Sequence, residues 1–381
     1  MTIYLDHSAT TPLAPEVYKL LKTELRKNFG NPSSLHAVGR QAHASLTEAR
    51  FTVAKILHCT PAEIYFTSGG TETDNLVLNG LLQPGDHAIT STIEHHAILH
   101  PAEALAQKGV HFTYVQPNPN GQLETKKVLA AVKSRTRLVS LILANNEIGT
   151  VQPIAKIGAA LQKLRKPPLF HTDAVQAAGL LALNTKKLGV DLMTLTAHKF
   201  YGPKGVGILF CKTGTPLHPQ IQGGAQEKAL RSGTENLPSI RAAALALQLA
   251  EAKRPQEVPR LRKLRDQFEK AVQKAIPLVR LNGAKAERLP GHANFAFAGI
   301  EGESLILKLD AKGICAATGS ACSSRSLEPS HVLQALNLPQ NELHGSVRFT
   351  LGRSTTKQDL DFVSKHLQKI VTDLRQISPV I

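Results

Sequence analysis

The chain has 381 residues, enough for two domains with separate cores, and 42% of them are apolar, which is typical of a globular protein. Because no apolar run approaches about 18 residues, the composition excludes an obvious membrane span. The formal net charge of +16 favours acidic partners or nucleic acid, but the basic residues are scattered through helical patterns. We therefore expect a solvated basic surface, with direct nucleic-acid binding as the less favoured alternative.

The N-terminal residues and the cysteines both predict a cytoplasmic protein. The chain begins Met1-Thr-Ile-Tyr-Leu-Asp6, without the basic region and following apolar region of a signal peptide. Its four cysteines form neither a disulfide framework nor a C-x-x-C or Cys/His cluster with zinc spacing. We expect reduced thiols in the cytoplasm and no metal site.

Short apolar runs alternate with helical patterns between residues 64 and 210. This alternation predicts a mostly parallel sheet covered by helices on both faces, in which ligands bind beyond the carboxyl ends of the strands. The predicted strands are Ile64–Thr67, His87–Ser91, His111–Val115, Leu138–Leu143, Leu169–Thr172, Leu192–Leu195 and Val206–Phe210.

The remainder of the chain has a different pattern. A long helical stretch follows the last of these strands, and Pro255 and Pro259 predict a break within it. Beyond it, residues that alternate like half-buried strands are mixed with short helices. We predict a large α/β domain with a seven-stranded sheet over residues 15–250, and a smaller α+β domain formed by residues 1–14 and 251–381.

Three segments carry chemistry that fits one cofactor. Thr67-Ser-Gly-Gly-Thr-Glu72 follows a strand and opens a helix, where amides and a hydroxyl can hold a phosphate. Asp173 ends an apolar strand, where it could pair with a protonated pyridine nitrogen or simply cap the next helix. Lys199 ends another strand before a glycine-rich turn, where desolvation makes an amine nucleophilic. Each segment alone has an ordinary structural explanation, but their order predicts a pyridoxal phosphate site.

These segments resemble the group I cysteine desulfurases of the NifS/IscS type, within the fold-type I pyridoxal-phosphate enzymes. The resemblance covers nearly the whole chain. Beyond the three segments, it includes Tyr4-Leu-Asp-His-Ser-Ala-Thr-Thr-Pro12, Asn31-Pro-Ser-Ser-Leu-His36, Ser91-Thr-Ile-Glu-His95, Asn145-Asn-Glu-Ile-Gly149, Arg231-Ser-Gly-Thr-Glu-Asn236, Gly319-Ser-Ala-Cys-Ser-Ser-Arg-Ser-Leu-Glu-Pro-Ser330 and Arg348-Phe-Thr-Leu-Gly-Arg353.

The resemblance implies a role for each residue around the cofactor ring. Lys199 should form the Schiff base with the cofactor and later move the substrate Cα proton. Asp173 should pair with the pyridine nitrogen, and Gln176 should bond the ring hydroxyl. His95 should stack on the ring and take part in proton transfer.

It also implies how the phosphate and the substrate are held. Thr234 should reach the phosphate from a second subunit, so a homodimer is expected. Arg353 should clamp the substrate carboxylate, assisted by Asn146, because a guanidinium fork matches a carboxylate. The remaining phosphate ligands implied are Gly70, Thr71, Thr196 and His198.

Cys322 is the residue that separates this family from its neighbours. Small and polar side chains surround it, which is typical of a loop, and the attacking form of such a thiol is the thiolate. The resemblance implies that Cys322, on a loop of the small domain, takes the sulfur as a persulfide. The other cysteines, Cys59, Cys211 and Cys315, suit a structural role better.

The resemblance thus predicts an enzyme that converts L-cysteine to L-alanine and supplies sulfur for iron–sulfur cluster assembly or other thiolation. Sulfur-acceptor proteins are the expected partners. Family members that dock an iron–sulfur scaffold continue beyond the position where this sequence stops, so scaffold docking is left open. The alternative to a desulfurase is another fold-type I enzyme, which could be an aminotransferase, a cystine lyase or a selenocysteine lyase.

Overall fold

The computed structural model describes residues 2–319 and 329–377. Its strands are β1 Ile3–Tyr4, β2 Ile64–Thr67, β3 His87–Ser91, β4 His111–Val115, β5 Thr136–Ile142, β6 Leu169–Asp173, β7 Leu192–Thr196, β8 Gly207–Cys211, β9 Val279–Leu281, β10 His292–Phe297, β11 Ile314–Cys315 and β12 Ser346–Thr350. Its helices are α1 Pro15–Lys27, α2 Ala37–Leu57, α3 Gly70–Leu81, α4 His96–Gln107, α5 Thr125–Ala130, α6 Ile154–Leu161, α7 Thr185–Leu188, α8 Leu237–Ala275, α9 Gly302–Asp310, α10 His331–Ala335, α11 Gln340–Leu343 and α12 Lys357–Ile377.

Strands β2 to β8 form a single seven-stranded sheet in the order β2-β8-β7-β6-β5-β3-β4. Strand β8 is antiparallel to both of its neighbours, and the other neighbouring pairs are parallel. The central strands β6 and β7 are buried along almost their whole length because helices cover both faces of the sheet. The predicted fold class is confirmed, since all seven predicted strands lie in this sheet. The parallel strands end at one edge, where residues predicted for the cofactor site meet.

The buried apolar residues form two main cores. The larger one joins the sheet to α1, α2 and the first part of α8. The second lies under the antiparallel sheet β9-β10-β12, where the rings of Phe268, Phe295 and Phe349 pack edge to face. Strand β1 pairs with β11, so Ile3 belongs to the second core. The boundaries at residues 14/15 and 250/251 stay a prediction.

The predicted helix break at the two prolines is wrong. Helix α8 runs from Leu237 to Ala275 through both Pro255 and Pro259. Both prolines are exposed, so they lie on the solvent side of the helix rather than in a core. The two ends of the helix are buried in the two cores, and this packing outweighs the local cost of the prolines. Across residues 2–319 and 329–377, we find no helix whose length and apolarity would let it span a bilayer.

Replacing Pro255 by Ala should stabilise the protein. The substitution restores an amide that can donate to the carbonyl of Glu251, and removes a residue that costs about 3 kcal/mol inside a helix. Proline also restricts the unfolded chain, and losing this restriction offsets about 1 kcal/mol of the gain in stability. Urea unfolding should show a net gain of about 1–2 kcal/mol. Pro15→Ala is the matched control, because Pro15 begins α1, where its missing amide breaks no helical bond. Equal effects at both positions would contradict this account.

Candidate active site

A cavity of about 280 Å³ lies at the carboxyl ends of β5, β6 and β7, against the first turn of α3. The structure brings together here nine of the residues that the sequence predicts for the cofactor site. They are Gly70, Thr71, His95, Asn146, Asp173, Gln176, Thr196, His198 and Lys199. We call it the main cavity.

Lys199 lies in a single turn of 3₁₀ helix, Ala197–Lys199, directly after β7. Its Nζ atom donates hydrogen bonds to the carbonyl oxygens of Ser8, at 2.7 Å, and Ala9, at 2.6 Å. The amine is therefore held at the wall of the main cavity by backbone of the N-terminal segment. The amide of Gln176 is fixed by the same segment, donating to the Ser8 carbonyl at 2.9 Å. This leaves its side-chain oxygen as an acceptor for a hydroxyl group.

Asp173 is the last residue of β6 and is only 4% exposed. Burial raises the pKa of its carboxyl to about 6, although the Val175 amide, which donates to Oδ1 at 2.9 Å, and the charge of Lys199 both oppose the shift. A buried carboxylate is stabilised by a cation beside it. The protonated pyridine nitrogen of the predicted cofactor is such a cation, so the site suits it.

The first turn of α3, which forms part of the wall of the main cavity, suits a phosphate. Gly70 begins α3, so the amides of this first turn have no partner within the helix and can face an anion. A side chain at Gly70 would lie 3.1 Å from Val175, and the glycine therefore keeps the helix end open. His198 also lines this cavity, where burial and nearby Lys199 lower its pKa to about 4, so its imidazole is neutral near pH 7.

His95 caps the N-terminus of α4 with its ring. Its Nδ1 atom accepts a hydrogen bond from the Ala97 amide at 3.1 Å. Burial lowers the pKa of His95 to about 4, and the charge of Lys199 adds to the shift. A neutral ring whose Nδ1 accepts must carry its proton on Nε2. In this arrangement His95 can donate from Nε2.

Arg353 lies beside the main cavity rather than in its wall. It lines a smaller side cavity of about 50 Å³ that shares Ser8, Gln176 and Lys199 with the main one. Its guanidinium lies 3.9 Å from the ring centroid of Tyr201. Thr234 is exposed at the surface, away from both cavities. Cys322 lies outside the residues that the structure describes.

Sequence reasoning missed several residues that line the main cavity. Asp74 is one helical turn after Gly70 and therefore on the same face of α3, a spacing that could have revealed it. Arg348 is 2% exposed within an apolar strand, β12, and an arginine in such a pattern also merits attention. Glu147, His96 and His331 give no comparable signal, because distant parts of the chain bring them together.

The similarity to known proteins agrees with this site. The family model described as aminotransferase class-V matches residues 3–363. The chain belongs to this family. A relative named cysteine desulfurase IscS from Dictyoglomus turgidum is 48% identical over 383 residues, covering 99% of this chain and 96% of its own length.

Solved structures are similar over almost the entire chain. A NifS-like protein has a TM-score of 0.92 and 33% identity, covering 98% of this chain and 100% of its own. A NifS-like protein from Rickettsia africae has a TM-score of 0.88 and 31% identity, again covering 98% of this chain and 100% of its own. The predicted family, the fold class and the dependence on pyridoxal 5'-phosphate are thereby confirmed. The roles of single residues stay predictions.

We expect Asp74→Asn to stabilise the cofactor-free protein at neutral pH. Burial and the neighbouring Asp173 raise the pKa of Asp74 well above its usual range. The unfolded chain therefore loses this proton first, and wild-type stability falls as pH rises above about 4, the ordinary aspartate value, towards the raised pKa. The variant lacks this loss, so its free energy of unfolding should exceed that of the wild type at pH 8, and the difference should shrink towards pH 4.

Urea unfolding of both proteins between pH 4 and pH 8 measures the difference in their free energies of unfolding. Each unit by which folding raises the pKa of Asp74 contributes about 1.4 kcal/mol to this difference. Asp373→Asn is the control, because it removes an exposed carboxylate from α12. An advantage of Asp74→Asn that does not change with pH would contradict the titration.

Proposed function

We propose that this protein is a pyridoxal-phosphate-dependent cysteine desulfurase. It would convert L-cysteine and the Cys322 thiol into L-alanine and a Cys322 persulfide. The observation that carries the proposal is the placement of the Lys199 amine and the Asp173 carboxyl in one cavity, whose wall includes the first turn of α3. The similarity to relatives named cysteine desulfurase supports the same reaction.

When bound, the cofactor supplies an electron sink next to the substrate Cα atom. Asp173 would stay ionised against the ring nitrogen and keep this sink effective. Gly70, Thr71, Thr196 and His198 would hold the phosphate, with Thr234 of a second subunit completing the set. Gln176 would bond the ring hydroxyl through its side-chain oxygen.

Two groups would handle protons. Lys199, already held at the cavity wall by Ser8 and Ala9, would attach the cofactor and then remove the substrate Cα proton. His95 would lie over the cofactor ring and hand over a proton from Nε2. Its low pKa keeps it neutral over the physiological range, so it would add no positive charge beside Lys199.

Arg353 would bind the substrate carboxylate, with Asn146 alongside. The side cavity shares the Lys199 wall, so a carboxylate there would lie close to the amine that acts on the neighbouring carbon. Tyr201 would orient the guanidinium, because the ring lies against it and the Tyr201 hydroxyl accepts from the Arg353 amide at 2.9 Å.

Sulfur transfer would form one bond to sulfur and break another. The Cys322 thiolate attacks the substrate sulfur, forming an S–S bond and breaking the Cβ–S bond of the substrate. The electron pair of the broken bond stays with carbon, and protonation of that carbon yields alanine. No external oxidant or reductant is needed, because the sulfur is oxidised as the carbon is reduced. Acceptor proteins would then take the sulfur from Cys322, and an iron–sulfur scaffold is one candidate.

A homodimer in the cytoplasm is part of the proposal. Helices α1 and α2 and the segment that joins them carry several large apolar side chains that are exposed, which together we call the α1/α2 patch. Monomers rarely leave such side chains uncovered, and a second copy would bury them. The exposed position of Thr234 suits a residue that serves a neighbouring subunit. The patch consists of Tyr18, Leu25, Phe29, Leu35 and Phe51.

Cys322→Ala should separate the two halves of the reaction. The variant should still bind the cofactor and change its absorbance when cysteine is added, because Lys199, Asp173 and Arg353 are intact. Persulfide formation and sustained alanine production should collapse. Mass spectrometry after brief exposure to cysteine, without reductant, should place added sulfur on the wild-type Cys322 peptide.

Lys199→Ala should instead lose the absorbance change as well as alanine production. The matched controls, which should keep full activity and lose at most about 1 kcal/mol of stability, are Cys59→Ala, Cys211→Ala and Cys315→Ala. Full desulfuration by Cys322→Ala would favour a lyase that releases sulfur directly from the substrate.

Leu35→Glu should weaken the dimer. Leu35 is 90% exposed in a single chain, and a carboxylate in its place would be desolvated in the interface. Light scattering should show a dimer for the wild type and a shift towards monomer for the variant. Leu307→Glu is the control, because Leu307 is 71% exposed on α9, outside the patch. A wild-type protein that is monomeric while holding its cofactor would refute this part of the proposal.

A further inference from the structure

One segment of the chain binds both sides of the turn that leads into α3. Residues 67–71 run from the end of β2 into α3, and Gly70 and Thr71 line the main cavity. We call residues 67–71 the phosphate turn, after the role proposed above for its last two residues. Residues 221–236 lie directly before α8, and we call them the clamp segment. Hydrogen bonds from the clamp segment reach β2 just before the phosphate turn and α3 just after it.

The contact before the turn is made by a buried carboxylate. Glu227 is 4% exposed, and its Oε2 atom accepts a hydrogen bond from the Phe66 amide at 3.0 Å. Strand β2 lies at the edge of the large sheet, so its outward amides need partners other than a strand, and Glu227 is one. Arg50 holds the carboxylate in place, donating from Nη1 to Oε2 at 2.9 Å and from Nη2 to Oε1 at 2.7 Å. A bidentate ion pair thus fixes the end of β2 to the clamp segment.

The clamp segment adopts an unfavourable backbone conformation where it makes this contact. Glu227, Lys228 and Ala229 have φ angles of 45°, 58° and 62°, so three consecutive residues with side chains lie in the left-handed region. Such conformations persist only where contacts with the surroundings outweigh their cost. The contacts here are with β2: besides the Glu227 bond, Lys228 Nζ lies 4.3 Å from the ring centroid of Tyr65. The shape of the clamp segment is therefore fitted to the end of β2.

The contact after the turn is a second ion pair. Arg231 donates from Nε to Glu72 Oε1 at 2.9 Å and from Nη2 to Glu72 Oε2 at 3.4 Å. Glu72 is the third residue of α3 and directly follows Thr71. Its Oε2 atom also accepts from the Ser68 amide at 3.0 Å, so Glu72 ties the beginning of the phosphate turn to its end. Arg231 thus fixes a carboxylate that itself holds the turn closed.

The alignment of the phosphate turn decides how strongly it can bind an anion. Backbone amides at the start of a helix bind a phosphate well only when they converge on it, because hydrogen bonds weaken steeply as their angles open. Groups that are held in place before the ligand arrives also lose less entropy on binding. Both conditions are favoured when one segment holds the strand before the turn and the helix after it.

We propose that Glu227 and Arg231 are positioning residues for the cofactor phosphate, because they hold the phosphate turn in its binding shape. This inference rests on the proposed function, which supplies the phosphate ligands. The two residues act on the phosphate, since their bonds end at the two sides of the turn. Binding of the cofactor ring, which the proposed function assigns to Asp173 and Gln176, should not depend on them.

Arg231→Gln tests the proposal in cofactor-free protein. Equilibrium dialysis measures the dissociation constants of pyridoxal 5'-phosphate and of pyridoxal, which lacks the phosphate. The ratio of the pyridoxal constant to the pyridoxal 5'-phosphate constant, here called the phosphate ratio, reports how much the phosphate contributes to binding. It should fall about tenfold in the variant, the loss expected when a hydrogen bond to a charged group is misaligned. The pyridoxal constant should stay the same. Glu227→Gln, which removes the charge that Arg50 holds, should lower the phosphate ratio in the same way.

Arg254→Gln is the matched control for these variants. It breaks a bidentate pair of comparable exposure, between Arg254 and Glu251, which lies within α8 and outside both cavities. The phosphate ratio of this control should equal that of the wild type. A general loss of stability would weaken the binding of both ligands together and leave the phosphate ratio unchanged.

Thr234 also belongs to the clamp segment, so its proposed role must be separated from that of Arg231. Thr234→Ala should lower the phosphate ratio by itself, because the proposed function gives this residue a phosphate contact. Adding Arg231→Gln to this variant should lower the phosphate ratio by a further factor of about ten, because the two residues act through different contacts. No further loss would mean that Arg231 acts by placing Thr234, and this would overturn its proposed role.

The remaining outcomes are distinct. An unchanged phosphate ratio in Arg231→Gln or in Glu227→Gln overturns the role of that residue. An equal loss of affinity for both ligands overturns the proposal as a whole, because the two residues would then act on the entire cofactor site. A wild-type protein that binds neither ligand, or binds both equally well, overturns the proposed function instead.

Discussion

The burial of Asp173 governs the chemistry of the main cavity. A carboxylate removed from water needs a cation or a proton, and burial pushes both Asp173 and Asp74 towards the protonated form. The same burial keeps His95 and His198 neutral. The two histidines are thus neutral near pH 7, while a charged carboxylate in this cavity is costly unless a cation lies beside it. A cofactor with a cationic ring nitrogen and an anionic phosphate supplies a positive and a negative charge to this cavity.

Much of the fold could be predicted because the spacing of apolar residues along the sequence indicates which faces of a strand or helix are buried. The inner strands of the large sheet are buried on both faces, so they appear as short runs rich in apolar residues with turn residues between them. Helix α8 was harder to predict, since the rule that proline breaks helices is local. Its continuity depends on the burial of both ends in different cores, which is a property of the tertiary structure.

The site was predictable where one short motif carries one function, as at Gly70, Asp173 and Lys199. Arg353 illustrates the limit: the resemblance gives its role, but only the structure shows that it lies in a side cavity stacked on Tyr201. Arg348 and Glu147 depend on contacts between segments far apart in sequence, such as Arg348 with Asp6 and Glu147 with Ser330. No local sequence pattern predicts such pairs, because the role of each residue depends on a partner that is distant in sequence.

The placement of the N-terminal segment has a consequence for how the protein is made. Ser8 and Ala9 hold the Lys199 amine, yet their segment pairs with Thr350, where the Ser8 amide donates to the threonine hydroxyl at 2.9 Å. During synthesis the first ten residues must wait until nearly the whole chain has left the ribosome before these contacts can form. Pairings of such long sequence separation are slow steps in folding. The wall that holds the Lys199 amine is therefore completed late, and cofactor capture would follow translation rather than accompany it.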